Sequence, residues 1–212
     1  MKNPNEVSVR SHYDAIIDEI RDSLNSKVTD PAHDTGPLKA YMDKWDGAPF
    51  IEALQLRPEQ SVLEIGVGIG RLAMRVCGNC GRFTGIDISP KTIERAKENL
   101  REFQNIRLVC GDFLTYPFAE SFDVIYSSLT FMYIRDKRAA IQKAADLLHP
   151  GGRFILSLDK NQQTEIDYGT RKVTVYPDTP EEIALLLTEA GLDIEKQFET
   201  ELAVIFCAAK GH

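Results

Sequence analysis

The sequence lacks several features that would point to a membrane, secreted or nucleic-acid-binding protein. Its 212 residues contain no apolar run of about 18 or more, which excludes a membrane-spanning helix. Residues Met1 to Glu6 have no apolar core and no small-residue cleavage pattern, so we expect no signal peptide and a cytoplasmic location. Basic blocks are also missing, and 25 Lys and Arg against 32 Asp and Glu give a net charge of −7. Such a surface repels polyanions, so we expect a neutral or cationic small ligand and no nucleic acid or membrane partner.

Cysteine is scarce. Only Cys77, Cys80, Cys110 and Cys207 are present, too few for a disulfide scaffold, and we expect reduced thiols. Cys77 and Cys80 form a C-x-x-C pair, a spacing seen in redox and zinc sites. The sequence has no second pair and no neighbouring histidine to complete four ligands. We therefore expect no metal, and interpret both residues as small apolar groups that close a helix.

From residue 61 onward, short apolar runs alternate with amphipathic helical patterns. Predicted strands cover residues 61–65, 82–87, 106–110, 122–127, 154–158, 193–199 and 202–208. Predicted helices cover residues 71–76, 90–103, 137–148 and 179–190. This alternation indicates a mostly parallel sheet with helices on both faces. The short connection between the last two strands permits only an antiparallel pair, so the last strand is reversed.

Residues 1–60 do not follow this alternation. They hold one predicted helix over residues 9–24 and another over residues 37–54, separated by a polar stretch. We interpret them as a helical cap on a domain formed by residues 61–212.

A glycine-rich string lies between the first predicted strand and the first helix of that domain. It reads Glu64-Ile-Gly66-Val-Gly68-Ile-Gly70-Arg71. Glycines let the backbone turn sharply and let a ligand lie against the main chain, and the helix N-terminus beyond offers free amide donors. The dinucleotide fingerprint G-x-G-x-x-G would need glycine at position 71, which is arginine. The pattern E-x-G-x-G-x-G in this context strongly indicates a ligand-binding loop.

Two acidic residues follow the next two strands. Asp87 ends the second strand, where a carboxylate can accept hydrogen bonds from both hydroxyls of a ribose. Asp112 follows the third strand, where it can accept from an exocyclic amine, and Phe113 can cover a purine ring. Together with the glycine loop, these positions predict a nucleoside-containing ligand.

The order of these motifs resembles the class I S-adenosylmethionine-dependent methyltransferase family. The resemblance rests on residues 62–73, 85–89, 111–113, 122–125 and 148–153, and it covers about residues 60–212. It implies a Rossmann-like seven-stranded sheet with an antiparallel last strand, and S-adenosylmethionine as cofactor with S-adenosylhomocysteine as product.

The resemblance also implies roles by position. Gly66, Gly68 and Gly70 would lie beside the methionine part, Asp87 would hold the ribose, and Asp112 with Phe113 would hold the adenine; Ile88 would also bind the cofactor. The main chain around Ser127 and Ser128 would face the methionine amino group or the substrate, and Glu64 would support the loop or the cofactor ammonium through hydrogen bonds.

The acceptor side is less defined. Thr130, Phe131 and Tyr133 follow the fourth strand, where the substrate pocket of this family opens. Tyr13 and Trp45 of the cap, with Tyr168 and Arg171 of a later insertion, are expected to complete the pocket. The sequence identifies no catalytic base; His12, Tyr13 and Tyr133 are weak candidates, and we interpret His149 as an exposed histidine.

The expected activity is methyl transfer to an O, N or C atom of a small molecule. A nicotinamide-dependent oxidoreductase on a similar sheet, and a cofactor-binding protein without transfer activity, are the alternatives. The oligomeric state, monomer or homodimer, stays open.

Overall fold

The computed structural model describes residues 6–22 and 36–211. The helices are α1 (Val9–Asp22), α2 (Gly36–Asp46), α3 (Ala48–Ala53), α4 (Ala73–Val76), α5 (Pro90–Asn99), α6 (Lys137–Leu147) and α7 (Pro180–Glu189). Short 3₁₀ turns cover Cys77–Asn79 and Phe131–Tyr133. The strands are β1 (Ser61–Ile65), β2 (Arg82–Asp87), β3 (Ile106–Cys110), β4 (Phe122–Ser127), β5 (Leu148–Asp159), β6 (Glu165–Asp167), β7 (Lys172–Thr174), β8 (Leu192–Glu199) and β9 (Ala203–Lys210).

The main sheet has seven strands in the order β3-β2-β1-β4-β5-β9-β8. Strands β1 to β5 pair in parallel, and β9 runs antiparallel to both of its neighbours, β5 and β8. This confirms the predicted α/β Rossmann-like fold and its reversed last strand. Because the first four strands are parallel, the residues that follow them meet at one edge of the sheet.

The core lies on both faces of the sheet. Val62 and Leu63, adjacent in β1, point to opposite faces because side chains alternate along a strand. Leu63 packs with Ile141 of α6, whereas Val62 packs with Ile93 of α5 and Phe50 of α3. Each of these side chains is at most 3% exposed, so helices cover the sheet on both sides as predicted.

The predicted helix over residues 37–54 is wrong as a single element. It divides at Gly47 into α2 and α3, because Pro49 has no amide hydrogen to continue the helical bonding. The Gly47 carbonyl instead accepts from the amides of Phe50 and Ile51. Phe50 is fully buried, so α3 belongs to the helix layer of the sheet.

Other boundaries differ by a few residues. Helix α5 ends at Asn99, short of the predicted 103, and the fifth strand starts at Leu148, ahead of the predicted 154. The insertion after that strand contains the unpredicted hairpin β6–β7. For the first helix, the part predicted beyond residue 22 lies outside the described residues.

Helix caps follow the sequence signals. The Ser89 hydroxyl accepts from the Thr92 amide at 3.1 Å and begins α5. Thr179 and Glu182 form the predicted capping box of α7, and Gly191 ends that helix with φ +76°.

No helix within residues 6–22 and 36–211 is long and apolar enough to cross a membrane. In the same ranges no group of three His, Cys, Asp or Glu side chains is placed to hold a metal ion. Cys77 and Cys80 are free and buried. Burial raises the pKa of the Cys80 thiol to about 11, which suits the packing role expected for the pair.

Candidate active site

A cavity of about 500 Å³ lies at the carboxyl ends of β1 to β4, beneath α1. The predicted residues that line it are Tyr13, Glu64, Gly66, Gly68, Asp87, Ile88, Asp112, Phe113, Ser128, Thr130 and Tyr133. They come from sequence positions 13 to 133 and are brought together by the parallel strand order. This cavity is the candidate active site.

The glycine loop forms one wall of the cavity. Gly66 and Gly68 have φ values of +79° and +54°. Residues other than glycine rarely adopt a positive φ, because their Cβ atom clashes with the backbone. A Cβ atom at Gly66 would lie 1.9 Å from the Thr130 hydroxyl, so this position leaves no room for a side chain. A Cβ at Gly68 would meet no heavy atom within 4 Å. Gly68 therefore leaves open the space in which a ligand can approach the main chain.

Asp87 is fixed against this loop. One carboxylate oxygen accepts from the Gly68 amide and the other from the Ser89 amide, each at 3.0 Å. Burial raises the pKa of Asp87, although these backbone hydrogen bonds partly oppose the shift. Next to it, Ile88 is an apolar side chain that is 37% exposed and lines the cavity. The pair offers a polar acceptor beside an apolar surface.

Glu64 is a buried acid on the floor of the cavity. Its carboxylate accepts from the hydroxyl of Tyr126 at 2.8 Å. Burial raises the pKa of Glu64 to about 8, while the Tyr126 hydrogen bond and the charge of Arg71 act in the opposite direction. Glu64 is thus available to a cation that enters the cavity.

Arg71 and Asp46 form a buried ion pair that the sequence did not reveal. Arg71 donates through both terminal nitrogens to the two carboxylate oxygens of Asp46, one of them at 2.8 Å. The Ser128 hydroxyl donates to the same carboxylate at 2.5 Å. Asp46 is fully buried, so the charge of Arg71 is satisfied within the protein. The pair connects α2 to the glycine loop and to the end of β4.

Asp112 and Phe113 line the opposite end of the cavity. The Asp112 carboxylate accepts from the Leu114 amide at 2.8 Å. Phe113 is only 6% exposed, and the ammonium of Lys143 lies 5.4 Å from the centre of its ring. Lys143 also donates to the carbonyls of Leu114 and Tyr116, which holds this loop in place.

Phenol rings and aliphatic side chains form the wall on the α1 side. The rings of Tyr13 and Tyr133 meet edge to face with centroids 5.8 Å apart. Leu129 has φ +55°, an uncommon backbone conformation for a non-glycine residue. No local pattern predicts that conformation. Aliphatic side chains complete this wall: Val9, Ile16, Ile17, Met42 and Ile134.

Some predicted site residues lie away from the cavity. The Ser127 hydroxyl donates to the Ile65 carbonyl, Gly70 packs against Leu100, and Phe131 is in the core. The Trp45 indole donates to Asp159 at 3.3 Å. A hydrophobic side chain on an amphipathic helix can face either the sheet or a pocket. Trp45 packs against the core on the sheet. His149 is exposed, as expected.

His12, Tyr168 and Arg171 form a cluster behind the α1 wall. His12 is fully buried, its ring centre lies 4.2 Å from that of Tyr168, and its Nδ1 accepts from Arg171 at 2.8 Å. Burial and the Arg171 charge lower the pKa of His12 to about 4. Arg171 also pairs with both carboxylate oxygens of Glu19. This cluster attaches α1 to the hairpin β6–β7.

These features fit S-adenosylmethionine. Asp87 supplies an acceptor for ribose hydroxyls, Gly68 leaves the main chain accessible, and Glu64 supplies a buried carboxylate for an ammonium group. Ile88 and Phe113 offer apolar surface for a flat base.

Comparison with known proteins agrees with this interpretation. Residues 63–156 match the family model described as a methyltransferase domain. A demethylmenaquinone methyltransferase of Tropheryma whipplei (strain Twist) is 35% identical over 99 residues, which are 46% of this chain and 41% of that protein. A malonyl-[acyl-carrier protein] O-methyltransferase of Priestia megaterium is 32% identical over 101 residues, which are 47% of this chain and 36% of that protein. The chain thus spans less than half the length of these curated relatives.

The fold also has solved counterparts. The N-methyltransferase NodS of Bradyrhizobium japonicum WM9, solved with S-adenosylhomocysteine, superposes with a TM-score of 0.68 at 21% identity. The match covers 94% of this chain and 99% of NodS.

Residues 63–156 thus match a methyltransferase domain, and the motif order and the sheet resemble those of the class I S-adenosylmethionine-dependent methyltransferases. S-adenosylmethionine is accordingly the cofactor expected for this domain. The family match favours this class over the nicotinamide-dependent alternative.

Proposed function

We propose that the protein transfers a methyl group from S-adenosylmethionine to a small-molecule acceptor. One observation carries the proposal. A single cavity is bounded by the glycine loop and Asp87 on one side and by Tyr13 and Tyr133 on the other. The names of the curated relatives, which refer to demethylmenaquinone and to malonyl-[acyl-carrier protein], support the activity but leave the acceptor open.

In this proposal Asp87 holds the ribose, Glu64 holds the ammonium of the methionine part, and Asp112 and Phe113 hold the adenine. When bound, S-adenosylmethionine supplies a methyl group on a positively charged sulfur. The protein holds the acceptor atom at about 3–3.5 Å from that methyl and excludes water. This task needs orientation more than it needs an acid or a base.

The three candidate bases are poorly suited to remove a proton. His12 lies behind the cavity wall, and its Nδ1 already accepts from Arg171. Burial raises the pKa of both Tyr13 and Tyr133, so their hydroxyls stay neutral. We therefore infer that Tyr13 and Tyr133 shape the acceptor site. We assign the role of general base to none of the described residues.

We further propose that the N-terminal segment, residues 1–60, carries the lid of the catalytic domain, residues 61–212. Helix α1 does the covering, since Tyr13, Ile16 and Ile17 line the cavity. It is attached on one side to α5, where Ser89 donates to Asp14 at 2.6 Å and Lys91 pairs with Asp18. On the other side it is attached to the β6–β7 hairpin through Arg171. A cavity that α1 covers in this way suits a small acceptor.

The test is to incubate the protein and methyl-labelled S-adenosylmethionine with pooled small metabolites, and to separate the labelled products. The proposal expects label in a small molecule and formation of S-adenosylhomocysteine in equal amount. Calorimetric titration with S-adenosylhomocysteine and with NAD runs beside it. Cofactor binding without labelled product would favour the non-transferring alternative, and NAD binding would favour an oxidoreductase.

A further inference from the structure

The acceptor side of the cavity is apolar, with few polar groups. Its wall from α1 consists of Val9, Tyr13, Ile16 and Ile17. Beside them lie Leu129, Thr130, Tyr133 and Ile134, which follow β4; the Tyr133 ring contacts that of Tyr13. The polar side-chain atoms of these eight residues are hydroxyl oxygens, which are uncharged.

The charges that line the cavity are mainly negative. Asp87, Asp112 and the titratable Glu64 belong to the cofactor side, and the cation of Arg71 is neutralised by Asp46. At the rim lie Arg135 and Asp136, both exposed; the Asp136 carboxylate also caps α6 by accepting from the Ala139 amide. Within the described part of the chain, the inner acceptor walls hold no cation. An anionic acceptor buried there would lose its hydration without gaining a partner.

Among the residues that the structure describes, the side chains of these walls also offer no base that could make an anion from a neutral acceptor. The hydroxyl of Tyr133 interacts with those of Tyr13 and Tyr168. Burial and these neighbours raise the pKa of Tyr133, so the phenols are not bases at neutral pH. A phenol, alcohol or carbon acid would have to lose its proton elsewhere before attack.

We propose that the acceptor is an apolar molecule that presents an uncharged nitrogen, a primary or secondary amine. This inference rests on the proposed function and names the substrate class of the same site. Burial in an apolar pocket disfavours the ammonium form, so the amine enters with its lone pair free. The phenol rings of Tyr13 and Tyr133, which line the cavity, then attract the positive charge that develops on nitrogen.

The transfer step balances without a base. The nitrogen lone pair forms the new bond to the methyl carbon while the carbon–sulfur bond breaks, and its electron pair stays on sulfur. The positive charge moves from sulfur to nitrogen and remains in the same acidic cavity. The proton that the substrate ammonium gives to water on entering the pocket balances the step, and the product leaves as an ammonium, the form its ordinary pKa of about 10 favours in neutral water.

The test uses probes that share one skeleton and differ in one group. Phenethylamine is the amine, phenethyl alcohol the neutral oxygen analogue and hydrocinnamate the anion, while phenethyltrimethylammonium carries a permanent charge and no lone pair. Each is titrated calorimetrically into the protein saturated with S-adenosylhomocysteine, at several pH values. Each is also incubated with methyl-labelled S-adenosylmethionine.

We expect phenethylamine to bind at least about tenfold more tightly than hydrocinnamate, and its apparent affinity to rise up to about tenfold per pH unit below the amine pKa of about 10. Label should appear on phenethylamine only. Tyr133→Leu should weaken amine binding about three- to tenfold, whereas Tyr41→Leu, on the exposed face of α2, should not.

Tighter or equal binding of hydrocinnamate, label on an oxygen, tightest binding of the trimethylammonium probe, or no binding of the amine would each overturn the inference. Loss of S-adenosylhomocysteine binding would instead contradict the proposed function. The two failures are thereby distinguished.

Discussion

Arg71 of the glycine loop and Asp46 of α2 form a two-pronged ion pair in the interior, although they are 25 residues apart. Asp46 is fully buried, and the Arg71 side chain is 18% exposed. The pair joins a helix of the N-terminal segment to the loop that faces the cofactor. The stability of that loop therefore depends on a residue outside the sheet.

Asp46→Ala should lower the free energy of unfolding by about 3–5 kcal/mol, because it leaves the buried Arg71 without its partner. Chemical denaturation measures this change. Asp43→Ala is the matched control, since Asp43 on the same helix pairs with the more exposed Arg75; its effect should stay below about 1 kcal/mol. Equal losses of unfolding free energy in the two variants would show that the buried pair stabilises the protein no more than the exposed one.

Cofactor binding should release protons through Glu64. Burial raises the pKa of this carboxyl to about 8, so at pH 7 it is mostly protonated in the free protein. An ammonium placed beside it favours the ionised form, and the proton leaves on binding. Calorimetry of S-adenosylhomocysteine in buffers of different ionisation enthalpy measures the release, which should be absent in Glu64→Gln.

The same group should make the stability of the free protein depend on pH. An acid whose folded pKa lies above its unfolded value binds more protons in the native state. The contribution of Glu64 to the unfolding free energy is therefore complete below about pH 4.3, the unfolded value, and is lost as pH rises through about 8. Glu64→Gln should flatten this part of the curve, and an unchanged curve would contradict the assignment.

Arg171→Ala should accelerate the release of S-adenosylhomocysteine about three- to tenfold, because α1 loses its attachment to the β6–β7 hairpin. Stopped-flow displacement measures the rate. Lys91→Ala removes the pair with Asp18, the neighbour of Glu19 on the same helix, and should have a smaller effect. A larger effect of Lys91→Ala would contradict this, because it would show that cofactor release depends on the contact of α1 with α5.

Gly68→Val should abolish measurable binding of S-adenosylhomocysteine, since the new side chain would occupy cavity space. Gly169→Val separates this effect from backbone strain. Both glycines have positive φ, and a Cβ at either meets no heavy atom within 4 Å, but Gly169 lies in the β6–β7 turn. Comparable losses of cofactor affinity in the two variants would argue against a ligand beside Gly68.

The sequence predicted the features that depend on local pattern. The strand pattern of β1 to β4, the caps at Ser89 and Thr179 and the positions of Gly68 and Asp87 were all readable from short stretches. The Asp46–Arg71 pair was not, because nothing in either stretch shows that they meet. The attachment of Arg171 to His12 joins residues 159 positions apart and was equally hidden. The orientation of Trp45 was also not predictable, because its position on the helix is compatible with a contact to the sheet or to the cavity.

The central claim is tested most directly by calorimetric titration of S-adenosylhomocysteine into the wild-type protein and into Asp87→Ala. Asp193→Ala, an exposed acid in β8, is the control, and thermal melts verify that all three proteins are folded. Losing hydrogen bonds to an ionised acceptor costs about 1.5–3 kcal/mol. The account predicts wild-type binding that Asp87→Ala weakens about ten- to a hundredfold and Asp193→Ala leaves intact. Unchanged affinity in a folded Asp87→Ala protein would contradict it.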